Sequence, residues 1–337
     1  METPSSATPA ESSGADMLAD EGDELATAAA ELRQLEIGAA QHGARLDRAL
    51  AELVPEFSRS YLQQLLVQGL VQRNGQPALK AAARVHAGDR VLVELRPTQQ
   101  SQAFQPQALP LDVVYEDAHL LVIHKPAGMV VHPAPGNWSG TLLNGLLARD
   151  PRAFDVPRAG IVHRLDKDTS GLLVVARERS TMDALVRMIA ARSVRREYQA
   201  IAHQRWTGPA LRRIDAPIGR DPRNRLRMAV VDLSVHAGKP ARTDVRWLGG
   251  DDAFCWVECS LHTGRTHQIR VHMASIGHPL VADALYDGTP ALGLQRQALH
   301  AWRLAFAHPV TGQAMEFVAP VPQDMRQALQ RLGYNPR

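Results

Sequence analysis

Lysine is scarce in this chain of 337 residues: four stand against thirty-four arginines. Cysteine is scarcer still, with only Cys255 and Cys259, and aromatic residues make up 5% of the composition. No apolar run approaches the roughly 20 residues of a membrane-spanning helix, and the N-terminus is acidic and polar, unlike a secretory signal. These absences exclude a disulfide scaffold and a membrane span, and they predict a cytoplasmic protein. Both cysteines lie in Phe254-Cys255-Trp256-Val257-Glu258-Cys259-Ser260-Leu261. Period-two alternation puts them on one face with Val257 and Leu261, so they read as core thiols.

What is present is unevenly charged. Residues 1–40 hold nine carboxylates and one arginine, so the remaining chain carries 37 Lys/Arg against 26 Asp/Glu, a balance of +11. Such an arginine excess suits a polyanionic partner, because the guanidinium fork grips phosphate and stacks on bases. The length allows a catalytic domain with a sizeable core plus a smaller module.

Four segments follow in order. Residues 1–38 are rich in Ala, Ser, Glu and Asp and read as a disordered acidic tail, with transient helix over 24–37. From 39 to 96 the pattern is two short helices and then strands. Leu46, Leu50 and Leu53 recur at helical spacing, Pro55 stops that helix, and Ser58 caps a second carrying Leu62, Leu65 and Leu66. Gly69 ends it, Asn74-Gly75 signals a hairpin, and Arg90–Leu95 alternates as a strand. Residues 97–110, rich in Gln and Pro, read as a linker. Residues 111–337 form the large domain, of mixed α+β class and mostly antiparallel. Its strands start at Leu111 and Leu120, with helices over 141–149 and 181–192 and further strands at 196–202 and 315–319.

The chemistry concentrates in Val162-His163-Arg164-Leu165-Asp166-Lys167-Asp168-Thr169-Ser170-Gly171. This turn-prone run precedes the buried-strand pattern Leu172-Leu173-Val174-Val175-Ala176. Asp166-x-Asp168-x-Ser170-Gly171 matches the opening of a calcium loop, but Arg177 occupies the place of the closing carboxylate and a strand follows where a helix belongs. From spacing alone the two aspartates serve equally well as turn caps or as reactive groups. His262, His267, His272 and His278 crowd together without a Cys or carboxylate to complete a zinc set, so no metal is expected.

Several ordered motifs carry a resemblance. "HRLDKDTSGLLVVA", "REYQA", "TGRTHQIRVHMASIGHPLVAD" and "RQALHAWRLAFAHPVTG" resemble the RluA family of pseudouridine synthases over residues 111–320. "RLDRALAEL", "SRSYLQQLLVQGLVQRNGQ" and "GDRVLVEL" resemble the αL RNA-binding module of ribosomal small-subunit protein four. The resemblance implies an isomerase that turns uridine into pseudouridine without cofactor or metal. Its partner would be large-subunit ribosomal RNA, at the helix 69 stem-loop, and the enzyme a monomer. A sister enzyme for tRNA or another rRNA site, or a non-catalytic assembly factor, are the alternatives. By the same resemblance Asp166 is the catalytic aspartate, paired with Arg270. It would attack C6 or C1′ of the nucleotide, or act through a glycal. Tyr198 stacks on a base flipped out of the RNA, and Arg164 fills the space left behind. His163, Arg265 and His267 are expected at the RNA, with Arg45, Arg48, Arg59 and Arg73 docking it through the small module. One departure stands out: the family pattern Gly-Asp-x-x-Tyr-Gly is here Ala282-Asp283-Ala284-Leu285-Tyr286-Asp287-Gly288, which puts the local turn in doubt.

Overall fold

The computed structural model describes residues 31–95, 103–224 and 226–336. The chain divides into two compact units, residues 1–98 and 99–337. No helix among the described residues is long and apolar enough to cross a membrane.

The first unit packs helices α1 (Leu46–Leu53) and α2 (Arg59–Val67) on a four-stranded sheet. The strands are β1 (Glu31–Glu36), β2 (Val71–Arg73), β3 (Gln76–Pro77) and β4 (Arg90–Leu95), in the order β1-β4-β2-β3. The apolar periodicities meet in one core: Leu46, Leu50, Leu62, Leu65 and Leu66 close over Val71, Val91 and Val93. Ser58 caps α2 by accepting from the Tyr61 N–H. Asn74 and Gly75 turn β2 into β3, both with positive φ (52° and 78°), as a tight primed hairpin turn requires. Strand β1 corrects the reading of residues 1–38 as a disordered tail with transient helix. It pairs antiparallel with β4 from Glu31 to Glu36, and Ile37 behind it is buried. Its side chains carry little strand signal because β4 supplies the backbone hydrogen bonds. Residues 1–30 lie outside the described residues.

The second unit is built on a nine-stranded sheet. Its strands are β5 (Asp112–Glu116), β6 (Leu120–Lys125), β7 (Ser170–Ala176), β8 (Arg195–His203), β9 (Leu211–Asp215), β13 (Arg242–Gly250), β14 (Phe254–Leu261), β15 (Leu299–Ala307) and β16 (Ala314–Val318). The order is β5-β6-β7-β15-β8-β14-β13-β9, with β16 on β15. Among the described residues only β7 and β15 run parallel in this sheet. A small sheet of β10 (Ile218–Arg220), β11 (Met228–Val230) and β12 (Gly238–Lys239) stands apart.

All seven residues of β7 are buried, which is why its sequence is unbroken apolar rather than alternating. One face packs Leu173 and Val175 against α3 (Leu142–Arg149), and the other packs Leu172 and Val174 against Leu185 of α4 (Arg179–Ala190). Gly171 enters this strand at φ +119°, where an added Cβ would lie 2.2 Å from the Ala301 carbonyl oxygen; only glycine allows β7 and β15 so close. Cys255 and Cys259 are both buried on β14. Helices α5 (Gln268–Ser275) and α6 (Gln323–Arg331) complete the unit.

Residues 103–107 correct the linker reading. The Asn144 amide donates to the carbonyls of Ala103 and Gln105, and the Gln107 N–H donates to the Asn144 carbonyl. A Gln- and Pro-rich composition therefore hides a segment tied to α3 by one side chain from another part of the chain.

Candidate active site

The turn Asp166–Ser170 joins a loop to the buried start of β7, and distant segments hold it. The Thr169 N–H donates to the Asp166 carbonyl and closes the turn. The Lys167 carbonyl accepts from the Gly128 N–H and from the Lys125 ammonium, the Asp168 carbonyl from Arg296, and Thr169 Oγ1 from Gln297. Ser170 Oγ meets His300 Nδ1 at 2.9 Å. Thr169 and Ser170 are buried, whereas Asp166 is half-buried at the cleft.

Lys125 is wholly buried, and its Nζ also donates to the carbonyls of Pro126 and Met129, at 2.7 and 2.9 Å. Burial pushes this ammonium down to about 7, against the pull of nearby Asp168 and Asp166. It clips the Lys125–Met129 turn to the Asp166–Ser170 turn.

Asp166 and Arg270 meet as the resemblance predicts. Arg270 Nη1 donates to Asp166 Oδ2 at 3.1 Å across 104 positions of sequence. Among the described residues Asp166 Oδ1 accepts no hydrogen bond; His267 Nε2 lies 3.9 Å from it, and burial pushes the pKa of that imidazole down. Arg270 is buried and held on its other edge by Asp283, with Nε and Nη2 each donating at 2.7 Å. Despite burial, the two carboxylates push its guanidinium further up. The Tyr286 ring lies 4.9 Å from the guanidinium, and the Tyr286 hydroxyl binds His267 Nδ1 and accepts from the Met228 N–H.

Asp283 and Tyr286 thus form the holder of Arg270. In the sequence they lie in a turn that departs from the family pattern, and Asp-x-x-Tyr is the signal that marks them. That turn closes even without the family glycines, with Ala282 and Asp287 in the left-handed region. An added Cβ on Gly288 would lie 1.9 Å from the Leu280 carbonyl, so that glycine is required.

Tyr198 on β8 is buried against the same cleft, and burial pushes its hydroxyl up to about 12, so it stays protonated. Arg164 is exposed, and Arg265 lines the cleft with its Nε on the Pro240 carbonyl. His163 also lines the cleft, but its Nε2 accepts from the Val174 N–H at 3.1 Å, tying the loop to β7, and burial and Arg196 push it down to about 3. His272 and His278 are buried among other partners, Thr243 and the Ala216 carbonyl for the first and the His203 carbonyl for the second, while His262 binds Asp244.

The cleft has a volume of about 460 Å³. Six arginines line it: Arg158, Arg164, Arg192, Arg196, Arg265 and Arg270. Asp166 is the only carboxylate among the lining residues.

In the first unit, Arg45 and Arg59 converge on Asp47, whose side chain is fully buried and also receives Gln63. The Arg45 guanidinium, with Gln63 and Arg59, holds the Asp47 carboxyl well below the usual range. Arg48 pairs with Glu52, and Arg73 lies 3.8 Å from Asp89.

A buried arginine paired with a half-buried carboxylate beside a buried tyrosine, in a cleft whose charged lining is six arginines against one aspartate, defines an enzyme for a polyanionic substrate. Comparison with known proteins narrows this class. The RNA pseudouridylate synthase family matches residues 119–275, and the S4 domain matches 44–91. Ribosomal large subunit pseudouridine synthase D of Neisseria meningitidis serogroup B is 48% identical over 295 residues, covering 84% of this chain and 77% of the relative. The protein of that name from Nitrosomonas europaea is 47% identical, covering 86% and 85%. The solved structure of human RNA pseudouridylate synthase domain containing 1 is 26% identical with a TM-score of 0.50, covering 68% of this chain and 97% of its own. The chain belongs to the RNA pseudouridylate synthases, with an S4 domain in its first unit, and is an isomerase that makes pseudouridine.

Proposed function

We propose that this enzyme converts uridines of large-subunit ribosomal RNA, in the helix 69 stem-loop, to pseudouridine, with Asp166 as the reacting carboxylate. The observation that carries the reading is the Asp166–Arg270 pair in a cleft with no other carboxylate. The relatives named for the large ribosomal subunit support the choice of RNA.

In this reaction the N1–C1′ bond breaks, a C5–C1′ bond forms, C5 loses its proton and N1 gains one. Arg270 orients Asp166 through the hydrogen bond to Oδ2 and leaves Oδ1 to act on the nucleotide. A stacked base is out of reach, so the uridine is flipped out and lies against Tyr198, whose hydroxyl, protonated at rest, can relay the C5 proton to solvent by passing on its own as it accepts that one. Arg164 and Arg265 stand at the cleft for the surrounding strand. The unit from 31 to 95 docks the RNA through Arg45, Arg48, Arg59 and Arg73, joined to the catalytic unit through the segment after residue 95.

Pseudouridine mapping in ribosomal and transfer RNA from a deletion strain, rescued with the native gene or with Asp166→Asn, tests this. Loss at helix 69, restored only by the native gene, is expected. Restoration by the Asn variant would refute the role of Asp166, and loss confined to tRNA would move the substrate.

A further inference from the structure

Of the six arginines at the cleft, only Arg270 meets a carboxylate within ion-pair distance among the described residues. Three of the others gather by construction. Arg158 lies in the turn Pro157–Gly160, which packs against α4 and β7. Arg192 follows the end of α4, and Arg196 stands on β8 two residues before Tyr198, on the same buried face.

Each shows a sign of a missing partner or of strain. The Arg196 side chain is buried at 7% exposure, yet its Nε has no hydrogen-bond partner. Its Nη1 lies against Gly264, where an added Cβ would approach to 2.9 Å, so the glycine makes room for the guanidinium. Arg158 and Arg192 are exposed at the cleft and sit in the left-handed region, at φ 55° and 61°, Arg192 because it closes α4 with the Ser193 N–H on the Met188 carbonyl; the conformation costs an L-residue energy that glycine avoids. His132 in the same wall has a buried, unpartnered Nε2, and burial with Arg158 and Arg164 nearby keeps the ring neutral, down to about 4. A buried guanidinium with an unmet donor, beside two exposed arginines that meet no carboxylate among the described residues, describes a site for an anion.

We propose that Arg158, Arg192 and Arg196 form a subsite for one backbone phosphodiester next to the flipped nucleotide, separate from the Asp166–Arg270 pair. This rests on the reading that a uridine base lies on Tyr198. Two residues of strand separate Arg196 from Tyr198, roughly 6.5 Å. The subsite therefore grips the strand beside the flipped base, and its binding energy holds the open conformation in which Asp166 can act.

The test uses the full chain and a helix 69 hairpin RNA, with affinity measured as a function of salt. Arg192→Gly relieves the left-handed strain while removing the cation. It should raise or preserve the melting temperature, weaken RNA binding by about tenfold and flatten the salt dependence by about one unit of slope. Arg158→Gln should weaken binding similarly. A hairpin with one methylphosphonate linkage beside the target uridine should bind the native enzyme as weakly as the variant binds ordinary RNA, and Arg192→Gly should then cost nothing more. The proposal is overturned if both variants bind ordinary RNA with native affinity and slope, or if the Arg192→Gly loss persists undiminished with either neighbouring linkage neutralised. Both readouts are equilibrium binding. Turnover by Asp166→Asn would refute the catalytic reading without altering them.

Discussion

Asp283→Asn is the substitution that most directly probes how the reactive pair is built. Arg270 is buried with three charge-assisted hydrogen bonds, two of them at 2.7 Å to Asp283 and one at 3.1 Å to Asp166. Asparagine keeps the shape and one acceptor oxygen but removes the charge, leaving the buried guanidinium with Asp166 as its only carboxylate. Breaking a buried pair costs about 3–5 kcal/mol, and the retained acceptor puts this case near about 3. For a unit of this size that lowers the melting temperature by roughly 6–12 °C. Loss of the bidentate grip also frees Arg270 to swing. An ångström of misplacement is worth about a hundredfold in rate, so kcat should fall on that order while KM changes little. The assay pairs thermal melting with single-turnover release of tritium from RNA carrying [5-³H]uridine, since the C5 hydrogen is the one lost. A melting temperature within about 2 °C of native together with kcat within about twofold would refute the claim that Asp283 positions Arg270.

Three further outcomes follow from the same contacts. Burial pushes His300 down to about 4, against about 6.5 in the unfolded chain, so the unfolded state takes up the proton first. Its contribution, about 3 kcal/mol, is full above pH 6.5 and lost as pH falls to 4, and His300→Gln should flatten thermal stability across that window. Lys125→Met removes three hydrogen bonds from beneath the reactive loop and should cost about 2–4 kcal/mol with a fall in kcat, measured by denaturant titration and single turnover. Asp47→Ala releases Arg45 and Arg59 from their shared carboxylate and should weaken RNA binding about threefold to tenfold with kcat at saturating RNA unchanged, read by filter binding against Asp47→Asn.

Local pattern was enough for much of this protein. The apolar spacing of α1 and α2, the Ser58 cap, the Asn74-Gly75 turn and the unbroken apolar run of β7 each depend on residues a few positions apart, so each could be read directly. The family motifs likewise pointed to Asp166, Tyr198 and Arg270, which the structure brings to one cleft. Other features depend on partners far along the chain. Strand β1 exists because β4, more than fifty residues later, pairs with it, and residues 103–107 are ordered because Asn144 holds their carbonyls.

The same division runs through the site. Composition showed that arginine was in excess but not which arginines lack counter-ions. Arg45 and Arg59 turned out to be tied to a buried Asp47, whereas Arg158, Arg192 and Arg196 meet no carboxylate among the described residues. Asp283 became the clamp on Arg270, and Lys125 the peg beneath the reactive loop, through contacts that no spacing rule encodes. The sequence by itself determined which groups could react and which elements would form. Only the tertiary structure decided which charges neutralise one another, because burial and pairing depend on distance in space and the residues concerned can lie 104 positions apart, as Asp166 and Arg270 do.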